Sequence, residues 1–247
     1  MGTPVPGASS PPVGASNGAG GPGGTAGPGS VWGIVVAAGL GRRFGAEKQF
    51  LSLNGRPVHI WAVEATRSVA VGVVLVVPPG REHDTSLSQA ADRVVAGGAT
   101  RSASVRAGLG AVPEDAAIIV VHDAVRPMAS EGLFRAVVGA VVAGAEGAVP
   151  GLDLADTVKL VEGDVVRSTL DRSKLVRVQT PQAFRASTLR RAHAREVDAT
   201  DDSAVVEAMG AEVIVVPGEE ANLKITSPAD LALLEWRSSL GSSAGAP

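Results

Sequence analysis

The stretch Val31-Trp32-Gly33-Ile34-Val35-Val36-Ala37-Ala38 runs without a charge into Gly39-Leu40-Gly41-Arg42-Arg43-Phe44-Gly45-Ala46-Glu47-Lys48-Gln49. A short, continuous run of Val, Ile and Ala bounded by a glycine turn reads as a strand buried on both faces, the habit of parallel sheets. In open α/β sheets, ligands bind beyond the carboxyl ends of the strands, which is where this loop falls. Gly39 and Gly41 let backbone N–H groups approach an anion, and Arg43 and Lys48 add fixed positive charge. The spacing sets the loop apart from two common phosphate binders. Gly45 comes one position late for the dinucleotide fingerprint, and no Gly-Lys-Ser/Thr follows as in a P-loop. A glycine pair alone would be a plain strand-to-helix turn; with Arg43 and Lys48 it reads as a phosphate site.

Outward from this segment, residues 73–77, 117–121 and 212–216 repeat the buried-strand pattern, and 145–149 does so more weakly. Helix-like stretches lie at 57–68, 102–111, 130–143 and 227–236, the last with Pro228 in a favoured first-turn position. Strands alternating with helices imply right-handed crossovers and a Rossmann-like α/β sandwich with a mostly parallel central sheet. From Asp153 to Thr180 the rhythm changes. Val and Leu interleave with charges around the turn signal Glu162-Gly163-Asp164, the pattern of a β-hairpin. Its charges are too many for a core strand, so the hairpin is either a projecting arm, about 153–180, or an exposed edge.

Composition narrows the remaining choices. The first thirty of 247 residues hold ten of the 31 Gly and six of the 16 Pro, so residues 1–30 are expected to form a disordered leader. They lack the basic start and apolar core of a signal peptide. Residues 238–247 read as a flexible tail, which leaves one domain, 31–237. With 45% hydrophobic but 3% aromatic residues, the core must be built from small branched side chains. A net charge of −3 without a long basic run argues against a nucleic-acid partner, although Arg42 and Arg43 remain available to phosphates. The absence of Cys excludes disulfides, thiolate catalysis and Cys-based metal sites. No apolar run approaches the ~18 residues that span a bilayer, so no membrane association and a cytoplasmic location are expected. With the sequence ending at Pro247, no fused second enzyme is expected.

Several further segments carry candidate chemistry. Gly97-Gly98-Ala99-Thr100-Arg101-Ser102-Ala103-Ser104 opens a helix with glycine and hydroxyls, suited either to a base edge or anion or to ordinary capping. His122-Asp123-Ala124-Val125-Arg126 ends a strand. Asp123 is well placed there to support Mg²⁺ and Arg126 to take a phosphate oxygen, the plain alternative being a salt bridge between the two. His122 reads as a packed core residue, and His59, His83 and His193 as surface or packing residues. Arg172 and Lys224 would ordinarily be solvated charges, and Thr157 and Thr180 ordinary strand residues.

Taken together, AAGLGRRF (37–44), EKQFL (47–51), GGATRSASVRAGL (97–109), VHDAVRP (121–127), DTVK (156–159), VQTPQAF (178–184), TDDS (200–203) and NLKITSPADL (222–231) resemble one family. It is the 2-C-methyl-D-erythritol 4-phosphate cytidylyltransferases of the non-mevalonate isoprenoid pathway, matched over roughly 31–236. The resemblance implies a nucleotidyltransferase sandwich that transfers CMP from CTP to 2-C-methyl-D-erythritol 4-phosphate with Mg²⁺, giving 4-diphosphocytidyl-2-C-methyl-D-erythritol and pyrophosphate. It implies nucleotide contacts at Ala37, Ala38, Gly39, Gly41, Gly97, Gly98 and Ser104, and catalytic charges at Arg43, Lys48 and Lys224. Asp123 would lie at the metal-bound phosphates and Arg126 at the erythritol phosphate. Thr157 and Arg172 would reach into a neighbouring subunit's site, with Thr180 close by, which implies a homodimer with exchanged arms.

The chain departs from the family pattern in three places. The segment between Arg43 and Lys48 is shorter, Glu47 stands where Pro usually precedes the lysine, and Ala99 replaces a frequent Asp. The chemistry implied needs no general base, because a phosphate oxygen already ionised near neutral pH attacks the α-phosphorus. The nearest rival reading is a ribitol-5-phosphate cytidylyltransferase. A rival of another class is a non-catalytic nucleotide-binding protein.

Overall fold

The computed structural model describes residues 29–39 and 44–243. The greater part of the expected leader, the end of the tail, and the loop residues Gly41, Arg42 and Arg43 lie outside the described residues. In chain order the first half comprises β1 (Val31–Val36), β2 (Ser52–Leu53), β3 (Arg56–Pro57), α1 (Val58–Arg67), β4 (Gly72–Val77), α2 (Thr85–Ser88), β5 (Arg93–Ala96), α3 (Arg101–Ala111) and β6 (Ile118–Asp123). The second half comprises α4 (Glu131–Val142), β7 (Gly147–Asp153), β8 (Lys159–Glu162), β9 (Val165–Thr169), β10 (Val176–Val178), β11 (Gln182–Arg185), α5 (Ala186–His193), α6 (Asp202–Glu207), β12 (Val213–Pro217) and α7 (Pro228–Ser243).

β1 lies parallel between β4 and β6, and β5 continues the sheet in parallel beyond β4. On the far side of β6, β11 pairs antiparallel with both β6 and β7, β10 runs antiparallel along the other end of β7, and β12 lies parallel to β7. Only β10 and β11 therefore run against the rest of the sheet. Both faces are covered at β1, β4 and β6, which is why those apolar runs are continuous yet sorted by alternate residues, whereas β12, expected as a buried strand, is largely exposed. Ile34, Val74, Val76 and Ile119 pack toward Val105 of α3 and Leu189 of α5. Val35, Val73 and Leu75 turn the other way onto Ala62 and Val63 of α1, and Ile118 and Val120 onto Phe134 and Val137 of α4.

The expected sandwich is present, with informative differences in detail. β2, β3, β5, β11, α2, α5 and α6 have no counterpart among the strands and helices read from sequence. β5 is short and partly exposed, so it lacks an unbroken apolar run. The expected hairpin is shorter than 153–180. Only β8 and β9 form it, as a separate two-stranded sheet turned at Gly163, whose φ is 57°. Every residue of β8 and β9 is exposed. Asp153 belongs to β7, and residues 176–178 return to the main sheet. α7 runs on to Ser243, so the start of the expected tail is helical. Its N-terminus carries a reciprocal cap in which Asp230 accepts from the Ser227 N–H (2.7 Å) and Ser227 Oγ accepts from the Asp230 N–H (3.4 Å). No helix among the described residues is long and apolar enough to cross a membrane.

One buried chain of hydrogen bonds ties the end of β6 to the segment between β10 and β11. Thr180 Oγ1 accepts from the Asp123 N–H at 3.0 Å, so its proton donates to His122 Nδ1 at 3.1 Å. The Arg126 carbonyl, 3.1 Å from His122 Nε2, can only accept, which places the ring proton on Nε2 and leaves the imidazole neutral. Complete burial pushes the His122 pKa down to about 4, against the opposing pull of Asp123 and the Arg126 carbonyl. In the unfolded chain the ring titrates near its ordinary value, so the unfolded state binds the extra proton between those two values. The stability contributed by neutral His122 is therefore full above about pH 6.5 and is lost as pH falls toward about 4. Thermal midpoints measured from pH 7 to pH 5 should fall more steeply in the parent than in His122→Asn; equal slopes would show that His122 does not titrate in this way.

Candidate functional site

The carboxyl ends of the parallel strands open onto a cleft of about 450 Å³ whose lining includes Arg101, Asp123, Arg126, Thr180, Asp201 and Lys224. Asp123, the last residue of β6, is buried at its centre. Its Oδ1 accepts from Arg101 Nε at 3.2 Å and its Oδ2 from Lys224 Nζ at 2.7 Å. Burial alone would raise the carboxyl pKa, but Arg101 and Lys224, with Arg126 beyond them, overcome it and hold the group well below the usual carboxylate range. Asp123 is thus ionised at any pH at which the protein would work. The guanidinium of Arg101 is likewise desolvated, yet Asp123 and Asp202 raise its pKa above the ordinary value.

The plain reading of VHDAVRP, a salt bridge from Asp123 to Arg126, is not what forms. Arg126 Nη1 donates to the Asn222 carbonyl at 2.8 Å, and its Nε has no hydrogen-bond partner among the described residues. Burial lowers the Arg126 pKa; Asp123 opposes that shift and Arg101 adds to it. Lys224 reaches Asp123 from the extended segment before α7. That segment is anchored by Asn222, which donates to the Thr180 carbonyl at 2.8 Å, and by the Ile225 N–H on the Val125 carbonyl at 2.9 Å. Two distant stretches of sequence thereby deliver opposite charges to one point.

The first loop is held from below by Gln49, whose amide donates to the carbonyls of Ala37 (2.7 Å) and Gly39 (3.0 Å). Ala37 and Ala38 are buried and Gly39 is exposed. Lys48 opens the 3-10 turn Lys48–Phe50, directly beside Gln49. Glu47, where the family pattern would have Pro, pairs with Arg81 at 2.8 Å, and the Arg81 guanidinium lies 3.8 Å from the Phe50 ring centre. Gly97 and Gly98 sit against this loop. A Cβ at Gly97 would come within 2.4 Å of the Ala38 Cβ and 2.8 Å of Ser104 Oγ, so only glycine lets the two loops touch. Ser104 Oγ accepts from the Gly98 N–H at 3.2 Å and donates to the Thr100 carbonyl at 2.9 Å. Thr100 caps α3 through the Ala103 N–H.

The structure brings Asp123, Arg126, Thr180 and Lys224 together, and sets the Gly97 and Ala37 loops against each other. It does not bring Thr157 and Arg172 to the cleft of their own chain. Both are exposed at the base of the hairpin, where Arg172 donates to the Ala155 carbonyl. Gly41 and Arg43 lie outside the described residues. Arg101 and Gln49 were missed by the sequence reading. Each sits inside a quoted block, and the available signal was position: Arg101 is the first residue of a helix at the ligand edge, and Gln49 adjoins a predicted phosphate lysine. Among the histidines, His59 and His193 are buried while the side chain of His83 is exposed, in keeping with packing and surface roles.

The family described as IspD, 2-C-methyl-D-erythritol 4-phosphate cytidylyltransferase, matches residues 31–237. A curated protein named 2-C-methyl-D-erythritol 4-phosphate cytidylyltransferase from Streptomyces avermitilis is 44% identical over 222 residues, covering 82% of this chain and 89% of that one. A bifunctional enzyme IspD/IspF from Solidesulfovibrio magneticus is 43% identical over 225 residues, covering 83% of this chain. The chain spans little more than half of such bifunctional relatives, 56% of this one and 57% of that from Nitratidesulfovibrio vulgaris. Among solved structures, the 2-C-methyl-D-erythritol 4-phosphate cytidylyltransferase of Thermus thermophilus superposes with a TM-score of 0.72 at 35% identity, covering 83% of this chain and 98% of that one. The chain therefore belongs to the 2-C-methyl-D-erythritol 4-phosphate cytidylyltransferase family.

Proposed function

We propose that this chain transfers CMP from CTP to 2-C-methyl-D-erythritol 4-phosphate, forming 4-diphosphocytidyl-2-C-methyl-D-erythritol and pyrophosphate. The observation that carries the reading is the group of cations gathered around Asp123 in the cleft. Arg101, Arg126 and Lys224 converge around an ionised Asp123, and the nearest imidazole, His122, has both nitrogens engaged and is neutral. His122 is thus not poised as a base, and the chemistry needs none. A phosphate monoester brings its own anionic nucleophile, and the obstacle is repulsion between anions together with charge build-up at the α-phosphorus. Preorganised cations offset both by position and electrostatics.

In this reading the loop of Ala37, Ala38, Gly39 and Gly41, with Gly97, Gly98 and Ser104, holds the nucleotide. Arg43 and Lys48 grip the triphosphate, and Lys224 balances charge at the reacting phosphates. Arg126 receives the acceptor phosphate, while Thr180, its hydroxyl engaged by Asp123 and His122, sets the backbone beside it. Among the described residues no cluster of three or more His, Asp or Glu is arranged to hold a metal unaided. That suits Mg²⁺, which usually takes one or two carboxylates and completes its shell with substrate phosphates and water. Asp123 fits the part, since an ionised carboxylate retains lone pairs beyond those given to Arg101 and Lys224. When bound, the ion would neutralise phosphate charge and orient the triphosphate.

The exposed hairpin supports a homodimer with exchanged arms. Leu160, Val161, Val165 and Val166 each leave more than half of their surface in solvent within one chain, apolar side chains on both faces of the hairpin that a second copy would cover. Thr157 and Arg172 at its base would then serve the other subunit's cleft. A molar-mass measurement in solution should give twice the chain mass; a monomer would remove those two residues from the site.

Two kinetic experiments test the reaction. CTP-dependent pyrophosphate release should require 2-C-methyl-D-erythritol 4-phosphate, and release with ribitol 5-phosphate alone would overturn the acceptor. CTP binding with no release from either acceptor would favour a binding protein. Lys48→Ala should lose about 10²- to 10³-fold in turnover, as when a preorganised charge-stabilising contact is deleted. Turnover near the parent's would show that Lys48 is not at the reacting phosphates.

A further inference from the structure

Behind Arg101 lies a second buried carboxylate that the proposed reaction does not use. Asp202, the first residue of α6, and His193, the last of α5, are almost fully buried. His193 Nε2 lies 3.0 Å from Asp202 Oδ1, and Arg101 Nη2 lies 2.8 Å from Asp202 Oδ2. The same guanidinium presents Nε to Asp123, whose other oxygen holds Lys224. Charges therefore alternate in one line: Lys224, Asp123, Arg101, Asp202, with His193 at the end. Burying an extra carboxylate is costly, so its place in this line calls for a physical reason.

The edge of the guanidinium supplies one. Nε and Nη2 lie side by side and are the pair that Arg uses to grip a single carboxylate with two parallel hydrogen bonds. Here that edge is divided, with Nε donating to Asp123 and Nη2 in ion-pair contact with Asp202 at 2.8 Å without hydrogen-bond alignment. An Arg101 free of Asp202 would close both donors on Asp123, draw the carboxylate toward α3 and take Oδ2 away from Lys224. With Asp202 in place, Nη2 is drawn toward the second carboxylate, Arg101 gives Asp123 the single bond from Nε, and Oδ2 is left to hold Lys224 at the cleft.

We propose that Asp202, oriented by His193, is a positioning residue that splits the Arg101 guanidinium between two carboxylates and thereby fixes the Asp123–Lys224 pair in the transfer site. The inference deepens the proposed cytidylyl transfer and rests on it for its kinetic consequence, though not for its geometry.

Three variants test it: Asp202→Asn, Arg101→Lys and the double variant, each checked by its thermal midpoint. Asp202→Asn should lower kcat about tenfold or more with KM for CTP changed by less than about threefold. In the Arg101→Lys background the same change should cost less than about twofold, because a lysine has no edge to divide. Parental kcat in Asp202→Asn, or an equal loss in both backgrounds, would overturn the proposal. A crystal structure of Asp202→Asn reads the geometry even if the reaction is other than proposed. Arg101 should close both Nε and Nη2 on Asp123, and Lys224 Nζ should leave Oδ2 by more than the ~4 Å of an ion pair; an unchanged contact would refute the claim. Should Asp202→Asn fail to fold, Arg101→Lys alone decides. A lysine cannot close two donors on Asp123, so the Lys224 contact should persist in that variant, and its loss would contradict the proposal.

Discussion

A carboxylate buried at the end of a parallel strand can stay ionised only if cations reach it from elsewhere in the chain, and Asp123 receives two. Arg101 arrives at the start of α3 and Lys224 from the segment before α7, one on each oxygen. Removing either would leave one buried Asp123 oxygen without its cation and the charge only half balanced. The arrangement therefore joins stability to charge placement. The chain cannot fold this way without collecting cations at the ligand edge of the sheet.

The rest of the architecture can be understood from that point. β6 is central and buried on both faces, so the direction of Asp123 is set by a strand with little freedom to move. Thr180 binds the Asp123 backbone N–H and His122 in the same step, which ties the antiparallel return through β10 and β11 to the end of β6. Gln49 performs the corresponding task for the first loop, and the Gly97 contact with Ala38 fixes the distance between the two loops proposed to hold the nucleotide. Catalytic electrostatics of this kind depends on groups that need not reorganise during reaction. Each cation here is held by partners that are themselves held.

Much of the framework was legible in the sequence because buried parallel strands announce themselves as unbroken apolar runs. β1, β4 and β6 lie within a few residues of their expected limits. β10 and β11 were not legible as strands of the main sheet. Residues 176–185 mix Arg, Gln, Thr and Pro with apolar residues, since their polar side chains face the cleft and its supports instead of a uniform core. Asp123 and Lys224 were visible as isolated candidates, but their contact spans about a hundred residues of chain and no local pattern encodes it. The Arg101 guanidinium was hidden for a different reason. It sits in a block whose glycines and hydroxyls drew attention to the backbone, while its partners, Asp123 and Asp202, come from two other elements.

The central claim is that function resides in the cluster of cations organised by Asp123. Steady-state pyrophosphate release from CTP by Asp123→Asn, in protein shown to be folded by its thermal transition, tests this most directly. The account predicts a loss of at least about 10² in turnover, since the amide neither orders Lys224 and Arg101 nor supplies a charge to the phosphates and their counter-ion. Turnover close to that of the parent would contradict it.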